Sequence, residues 1–221
     1  MRFRQKIRTP LLGRHIHKGA YAALVLSGCY EEAGDSGRHR VEAGDVILHE
    51  SFEAHLDRFS KAGAEILNLS LPARYNFRPG ITKIRDVDTI VRVAEKCASE
   101  AAALLVVSTE LLKPRFIDWP DELAVSLAED PSLRISHWRE AKGISGWDLS
   151  RGFGKVFGTS PRAFRARARA RKALREIRTG TTPLAAIAAQ CGFADQAHMT
   201  RSVKMVTGRC PSEWRLASAC K

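Results

Sequence analysis

Closely spaced histidines are the residues of this 221-residue sequence whose side chains could bind a metal. His15 and His17 precede the apolar run that starts at Tyr21, and because side chains at i and i+2 of a β-strand point to the same side, both imidazoles can face one point. His49 ends a second apolar segment, and His55 follows six residues later. Imidazoles combined with a carboxylate suit zinc, nickel, copper or iron. The alternative is that these histidines line a ligand pocket, or end strands, without metal.

A second set of polar side chains lies in a segment that repeats itself. LSRGFGKVFGTSPRAFR begins at Leu149 and MTRSVKMVTGRCPSEWR begins at Met199, an offset of 50 residues without a gap. Apolar positions mostly match apolar positions, and the Gly-x-x-Pro spacing recurs. A repeat of this period indicates a duplicated supersecondary unit.

Each copy has the pattern of a short helix, a glycine-containing turn and a second helix. In the second copy the turn is at Gly192, and Asp195 can cap a helix over 196–206. In the first copy the turn is at 143–145, and the second helix covers 146–157. Both second helices combine an apolar face with a face of Arg, Gln, Ser or Thr, a pattern typical of helix-turn-helix units that read DNA.

This pattern resembles the two-helix-turn-helix DNA-binding domain of the AraC/XylS transcriptional regulators. The matching residues are Gly192-Phe193-Ala194-Asp195-Gln196, Arg201, Lys204, Gly208, Pro211 and Trp214-Arg215, with Leu149-Ser150-Arg151, Phe153, Gly158 and Ser160-Pro161 in the first copy. The resemblance covers about residues 121–216. The chain departs from the family at Met199 and Val203, where aromatic residues are usual, and around 136–139.

The two reading helices predict the residues that contact DNA. Because Gln suits adenine and Arg suits guanine, the second helix predicts base contacts from Gln196, His198, Thr200 and Arg201. The corresponding candidates in the first are Gly146, Trp147, Ser150 and Arg151. Phosphate contacts, which position the protein without specifying sequence, are predicted for Lys155, Arg165 and Lys204. An equal alternative for Trp147 is packing against a neighbour.

Positive charge is concentrated in the same part of the chain. Residues 132–221 contain 18 Lys and Arg against 5 Asp and Glu, whereas residues 1–131 contain 18 against 19. This distribution predicts a polyanion as the partner of the second part, with a merely solvated basic surface as the weaker alternative. The 5 cysteines include no Cys-x-x-Cys pair and are interpreted as reduced thiols. With no apparent signal peptide or membrane-length apolar run, we expect a cytoplasmic protein with no membrane partner.

The segment that must position the histidines has the pattern of β structure. Residues 1–80 contain short apolar or alternating segments separated by glycine turns, which predicts a small sandwich or barrel. This segment looks like an abbreviated cupin. The resemblance places His15, His17 and His55 at the metal-ligand positions of the two cupin motifs. The cupin carboxylate falls at Tyr21, which cannot replace it, and His49 or Glu50 is the candidate substitute.

The predicted architecture is α+β with three segments. Residues 1–80 form a cupin-like sensor domain, 81–120 a helical linker, and 121–221 an all-α domain with two helix-turn-helix units. The linker has an amphipathic pattern over 86–112. It either packs on its own β domain or forms a homodimer interface. Prolines at 114 and 120 mark the boundary before the last domain.

These observations predict a sequence-specific DNA-binding transcriptional regulator without enzymatic activity. A small-molecule or metal effector would act through the first domain, and the resemblance implies RNA polymerase as a partner and favours activation. The alternative is a cupin-type metal-dependent enzyme with an accessory DNA-binding domain, against which the missing carboxylate at Tyr21 counts. An alkylation-sensing repair regulator would need clustered cysteines, and residues 1–80 contain only Cys29. A further alternative is an architectural DNA-binding protein, whose DNA affinity no small molecule or metal would change.

Overall fold

The computed structural model describes residues 3–72, 77–107 and 118–219 and divides the chain into two compact units, Met1–Ile117 and Asp118–Lys221. The first unit contains strands β1 (Arg4–Ile7), β2 (Leu11–Ile16), β3 (Tyr21–Gly34), β4 (Gly37–Glu42), β5 (Asp45–His49), β6 (Ala54–Ser70) and β7 (Gly80–Lys83), then helices α1 (Val87–Lys96) and α2 (Ala98–Val107). The second contains α3 (Trp119–Glu129), α4 (Ile135–Ala141), α5 (Gly146–Phe157), α6 (Pro161–Thr179), α7 (Leu184–Gln190), α8 (Gln196–Thr207) and α9 (Pro211–Ala219). The predicted α+β fold class is confirmed.

The strands of the first unit form one antiparallel sheet in the order β1-β6-β3-β5-β7, with β2 also paired to β6 and β4 to β3. Alternate side chains of β3 serve opposite faces. Ala22 and Leu24 lie in the core beneath α1 and α2, whereas Tyr21, Ala23 and Val25 lie in a second core on the other face. The strand is therefore buried on both sides, which explains its continuous apolar sequence.

Strands β3 and β6 are longer than the short strands that the sequence predicts, at 14 and 17 residues. They remain paired because irregularities absorb the bend, with register shifts between Val25 and Ser27 and between Gly28 and Tyr30. Gly28 and Gly63 both have positive φ, at 78° and 73°. A side chain at Gly28 would overlap the carbonyl oxygen of Gly63, so glycine is required at this close approach.

The amphipathic pattern predicted over 86–112 forms two helices as far as the structure describes it. Asp86 caps α1 by accepting a hydrogen bond from the Thr89 amide at 2.9 Å. Ile90 of α1 and Leu105 of α2 are buried in the same core as the sheet. The apolar face of these helices therefore packs on its own β domain. Residues 108–117, which include the end of the predicted pattern and most of the predicted boundary, lie outside the described residues.

The second unit is built around α6. Phe164 of α6 packs edge-on against Phe153 of α5 with ring centroids 5.4 Å apart, and Phe153 stacks on Phe157 at 4.7 Å. The predicted core residues of the reading helices, Leu149, Phe153, Met199 and Val203, are all buried. Among the described residues, no helix combines the length and apolarity needed to cross a bilayer.

Candidate DNA interface and buried histidine cluster

In the structure, the two copies of the sequence repeat begin and end their second helices, α5 and α8, in the same way. Ser145 accepts a hydrogen bond from the Asp148 amide at 3.1 Å at the start of α5, and Asp195 accepts one from the His198 amide at 2.6 Å at the start of α8. Both helices end at a left-handed glycine, Gly158 with φ 64° and a glycine 50 residues later with φ 77°. The two copies are thus the same structural unit, with α4 or α7 as the first helix and α5 or α8 as the second.

The turns of the two copies differ by one residue. Gly143, with φ 65°, stands two residues before the cap of α5, whereas Gly192, with φ 74°, stands three residues before the cap of α8. In both turns the glycine amide donates back to the preceding helix, to the carbonyl of Glu140 at 3.1 Å and of Ala189 at 3.0 Å. The second turn also contains Phe193, which is buried and returns the chain to the core.

All the predicted DNA contacts except Arg165, which is on α6, lie on α5 and α8. On α5 the exposed members are Trp147, Ser150, Arg151 and Lys155, together with Gly146. On α8 the exposed members are Gln196, His198, Arg201 and Lys204, whereas Thr200 is half-buried. The opposite faces are anchored by Leu149 and Met199, so each helix presents polar residues outward while its apolar residues hold it in place.

Trp147 is not packed into the core of its unit, because 65% of its surface is exposed. The guanidinium carbon of Arg151 lies 4.7 Å from the centroid of the indole ring. Contacts of this kind contribute about 0.5–1 kcal/mol at exposed sites. The pair therefore orients an arginine on the exposed surface of α5.

Two arginines of α6 have a structural contact that the sequence did not reveal. Arg165 donates from Nη1 to the carbonyl oxygen of Leu133 at 3.1 Å, and Arg169 donates from Nε to that of Pro131 at 2.8 Å. Both side chains are half-buried. They tie the segment before α4 to α6, and so help to hold the first helix-turn-helix unit in position.

In the first unit the structure brings all four predicted histidines together. His15 on β2 lies opposite His55 on β6 in the strand pairing, with ring centroids 4.3 Å apart. The rings of His17 and His49 lie 5.3 Å and 4.8 Å from that of His55. Residues from three strand ends therefore meet inside the sheet domain, with His55 at the centre.

Glu32 of β3 is one of the buried carboxylates among these histidines, and no sequence pattern pointed to it. Its Oε2 atom is 3.5 Å from His49 Nε2 and 3.4 Å from His55 Nδ1. Glu32, His49 and His55 are 0%, 1% and 4% exposed. Tyr21, at the cupin carboxylate position, instead places its hydroxyl 3.1 Å from His55 Nε2.

Two overlapping groups in this cluster could hold a metal ion, because one ligand atom of each residue lies within 4.8 Å of the others. One group is His15, His17 and His55, and the other is Glu32, His49 and His55. The surrounding cavity measures about 60 Å³ and is also lined by Tyr21 and Asp57. A water molecule needs roughly 10–15 Å³, whereas drug-sized ligands occupy about 300–1,000 Å³. The cavity can thus hold an ion with a few waters.

The pKa of His17 is lowered and the pKa of His55 is raised by the balance of burial and neighbouring charges. Burial, together with repulsion from His55, lowers the pKa of His17 to about 4. Burial alone would lower the pKa of His55, but the charge of Glu32 and the hydrogen bond to Asp57 raise it well above its ordinary value. Burial opposes ionisation of Glu32, yet His49 and His55 hold its pKa below the usual range. The cluster therefore stabilises negative charge on Glu32.

A helix-turn-helix domain family matches residues 138–217, a range that begins within α4, ends within α9 and includes α5 to α8. The second unit therefore contains an AraC-type helix-turn-helix domain. The protein is a DNA-binding transcriptional regulator. The family resemblance predicted from Gly192, Arg201 and Pro211 is confirmed.

Three solved structures have chains that are similar to this one. The chain is similar to ToxT from Vibrio cholerae, with 11% identity, 97% of this chain and 96% of that chain covered, and a TM-score of 0.45. A probable AraC family transcriptional regulator from Rhodopseudomonas palustris has 25% identity, coverage of 44% and 97%, and a TM-score of 0.39. The C-terminal domain of AraT, a response regulator from Geobacillus stearothermophilus, has 21% identity, coverage of 44% and 84%, and a TM-score of 0.42. No curated protein matches the sequence. The assignment depends on the helix-turn-helix match.

Proposed function

We propose that this AraC-type regulator recognises a specific DNA sequence with α5 and α8 and that its first unit holds the effector. The observation that carries the proposal is the repeated geometry of these two helices. Each begins at a capped N-terminus, buries one apolar face and presents arginine at the same position of the repeat, Arg151 and Arg201. The second helix of a helix-turn-helix unit is the one that enters the major groove.

The connecting helix suggests how one chain reads two grooves. With 19 residues, α6 is about 28 Å long, close to the roughly 34 Å that separates successive major grooves on one side of B-DNA. Arginine contacts with Leu133 and Pro131 support a fixed attachment of α6 to the first helix-turn-helix unit. The DNA site would therefore be asymmetric and about two helical turns long.

The predicted contact residues divide into base-reading and phosphate-binding sets by position. We assign base contacts to Trp147, Ser150, Arg151, Gln196, His198, Thr200 and Arg201. We assign phosphate contacts to Lys155, Arg165 and Lys204, with Arg165 acting beside its structural hydrogen bond. The net charge of +12 supports binding to a polyanion.

We propose regulation rather than catalysis as the role of the first unit. The cavity of about 60 Å³ leaves too little room for an organic substrate, which counts against the cupin-type enzyme. A homodimer, contact with RNA polymerase and activity in the cytoplasm remain proposals that the family resemblance supports. The packing of α1 and α2 on the sheet favours their role inside the unit over a dimer interface.

Selection of bound duplexes from a random-sequence library, followed by anisotropy titration of the enriched site, tests this function. We expect one asymmetric sequence of about two turns to be enriched. With several phosphate contacts, its affinity should fall roughly a thousandfold or more between about 50 and 200 mM salt. Binding without any enriched sequence would support an architectural protein and contradict the proposal.

A further inference from the structure

We propose that the first unit binds one divalent transition-metal ion, with Zn²⁺ as the reference ion, between Glu32, His49 and His55. This set differs from the cupin ligand positions, since Glu32 lies outside both cupin motifs and His49, within the second, is not at a usual ligand position. It supplies one carboxylate and two imidazoles, the ligand types that zinc takes in sites with three protein ligands and a water.

The distances match those between ligands around a metal. Four tetrahedral ligands bound to zinc at about 2.1 Å lie about 3.4 Å from one another. Glu32 Oε2 lies 3.5 Å from His49 Nε2 and 3.4 Å from His55 Nδ1. Separations of this size are long for hydrogen bonds, which are 2.7–3.2 Å for nitrogen donors, but suit atoms that share an ion.

Two of the three side chains of this group, Glu32 and His49, lack the hydrogen bonds that burial requires. Among the described residues, neither oxygen of Glu32 and neither ring nitrogen of His49 has a hydrogen-bond partner, and both side chains are at most 1% exposed. Leaving a buried polar group without a hydrogen bond costs about 1–3 kcal/mol, and more for a charged one. An ion bound to Glu32 Oε2 and His49 Nε2 would compensate both groups at once.

The second nitrogen of each imidazole faces a group that can orient the ring. His49 Nδ1 lies 3.7 Å from Glu53 Oε2, and His55 Nε2 lies 3.1 Å from the Tyr21 hydroxyl. Metal-binding histidines commonly have such a partner for the nitrogen that does not bind the metal. His55 Nδ1 also lies 2.9 Å from Asp57 Oδ1, so the ion would replace the proton in that contact.

The charge of the pocket also favours a cation. Three buried carboxylates, those of Glu32, Glu53 and Asp57, surround His49 and His55. Even if both imidazoles carried a proton, the carboxylates would exceed these two positive charges by one. Buried charges are costly without compensation, and a divalent ion provides it.

The group of His15, His17 and His55 is the competing site. His15 and His17 are only half-buried, and His15 Nδ1 already lies 2.9 Å from the carbonyl oxygen of Gly13. The group of His15, His17 and His55 also contains no carboxylate. These differences favour the group that includes Glu32.

The simplest role for this ion is that of the effector, and only this part of the inference rests on the proposed regulatory function. Metal binding itself is measured without DNA. The full chain would be stripped with chelator, freed of chelator and titrated with Zn²⁺ and Co²⁺ by calorimetry. We expect one ion per chain. Glu32→Gln should lower the affinity about 100-fold or more, since even partners of metal ligands contribute 10–100-fold.

Two variants serve as controls. His137→Ala removes an exposed histidine of the second unit and should leave the affinity unchanged. His15→Ala should change it less than about threefold, because that residue belongs to the competing group. A loss in His15→Ala as large as that in Glu32→Gln would overturn the assignment. Absence of stoichiometric binding by the unaltered chain would also overturn it and would leave Glu32 and His55 as a structural ion pair only.

Circular dichroism would show whether the Glu32→Gln variant misfolds. If it does, a second variant and a spectroscopic measurement on the unaltered chain still test the proposal. His49→Gln is the second variant and should show the same loss. X-ray absorption of the unaltered Zn²⁺-loaded chain should indicate two imidazoles with oxygen ligands, and three imidazoles would contradict the proposal. DNA affinity is then compared with and without Zn²⁺. Metal binding without any change in DNA affinity would refute the effector role while leaving the metal site intact.

Discussion

Arg201 offers the sharpest test of how this regulator reads DNA. Its side chain is exposed on α8, whose opposite face is anchored by buried Met199 and Val203. Alanine is a better helix former, and substitutions of exposed residues usually change stability by less than about 0.5 kcal/mol. Arg201→Ala should therefore fold normally, so that any loss appears in DNA binding alone.

The expected loss follows from the contact that an arginine makes with guanine. One bidentate pair contributes about 1–3 kcal/mol of discrimination, which corresponds to a decrease of about 5- to 140-fold in affinity for the selected site. If the base pair that Arg201 contacts is already changed in the duplex, Arg201→Ala should cause no further decrease in affinity. We would measure it by anisotropy titration of Arg201→Ala against the selected site and its single-base-pair variants.

Lys204→Ala is the matched control, because Lys204 is exposed on the same helix and its substitution removes the same charge as Arg201→Ala. Loss of a phosphate contact should weaken binding to all sequences about equally and reduce the salt slope by about one. The same uniform loss in Arg201→Ala would refute the assignment of Arg201 to a base edge. An unchanged affinity in Arg201→Ala would show that this face of α8 does not contact DNA.

Two further predictions concern the described contacts. Trp147→Ala should leave the unfolding midpoint almost unchanged, because 65% of the residue is exposed. It should lower DNA affinity, because Arg151 would lose the ring that orients it. An unchanged affinity in titration would refute this orienting role. Gly63→Ala should destabilise the first unit by more than about 1 kcal/mol in urea unfolding, because φ is 73° and the added carbon would overlap the carbonyl of Ile7. Gly13→Ala, where the added carbon meets nothing within 4 Å, is its control and should be neutral or stabilising, so equal effects of the two changes would contradict the explanation.

The helix-turn-helix half could be predicted from the sequence because its signals are local. The caps Ser145 and Asp195 and the glycines that end α5 and α8 act within a few residues of the chain. Their recurrence at a fixed offset made the duplication visible without coordinates. The buried positions Phe153 and Val203 follow from the 3.6-residue period of a helix. The contacts of Arg165 and Arg169 with distant carbonyls have no such signal, because they depend on how α6 packs.

The histidine cluster was predicted only in part, and the reason lies in the pairing of the strands. The spacing of His15 and His17 and the position of His55 could be found in the sequence, and the structure brings them together. Glu32 was missed because an alternating pattern continued from Tyr21 would place Glu31, not Glu32, on the inner face.

The register shift between Val25 and Ser27 reverses that alternation within β3. As a result Glu31 is half-buried beside Arg58, with an ion-pair distance of 3.1 Å, whereas Glu32 is fully buried among the histidines. The sequence by itself therefore determined the DNA-binding repeat and the supply of imidazoles. Only the tertiary structure decided which carboxylate faces them, because a strand irregularity depends on its neighbours in the sheet and leaves no local pattern.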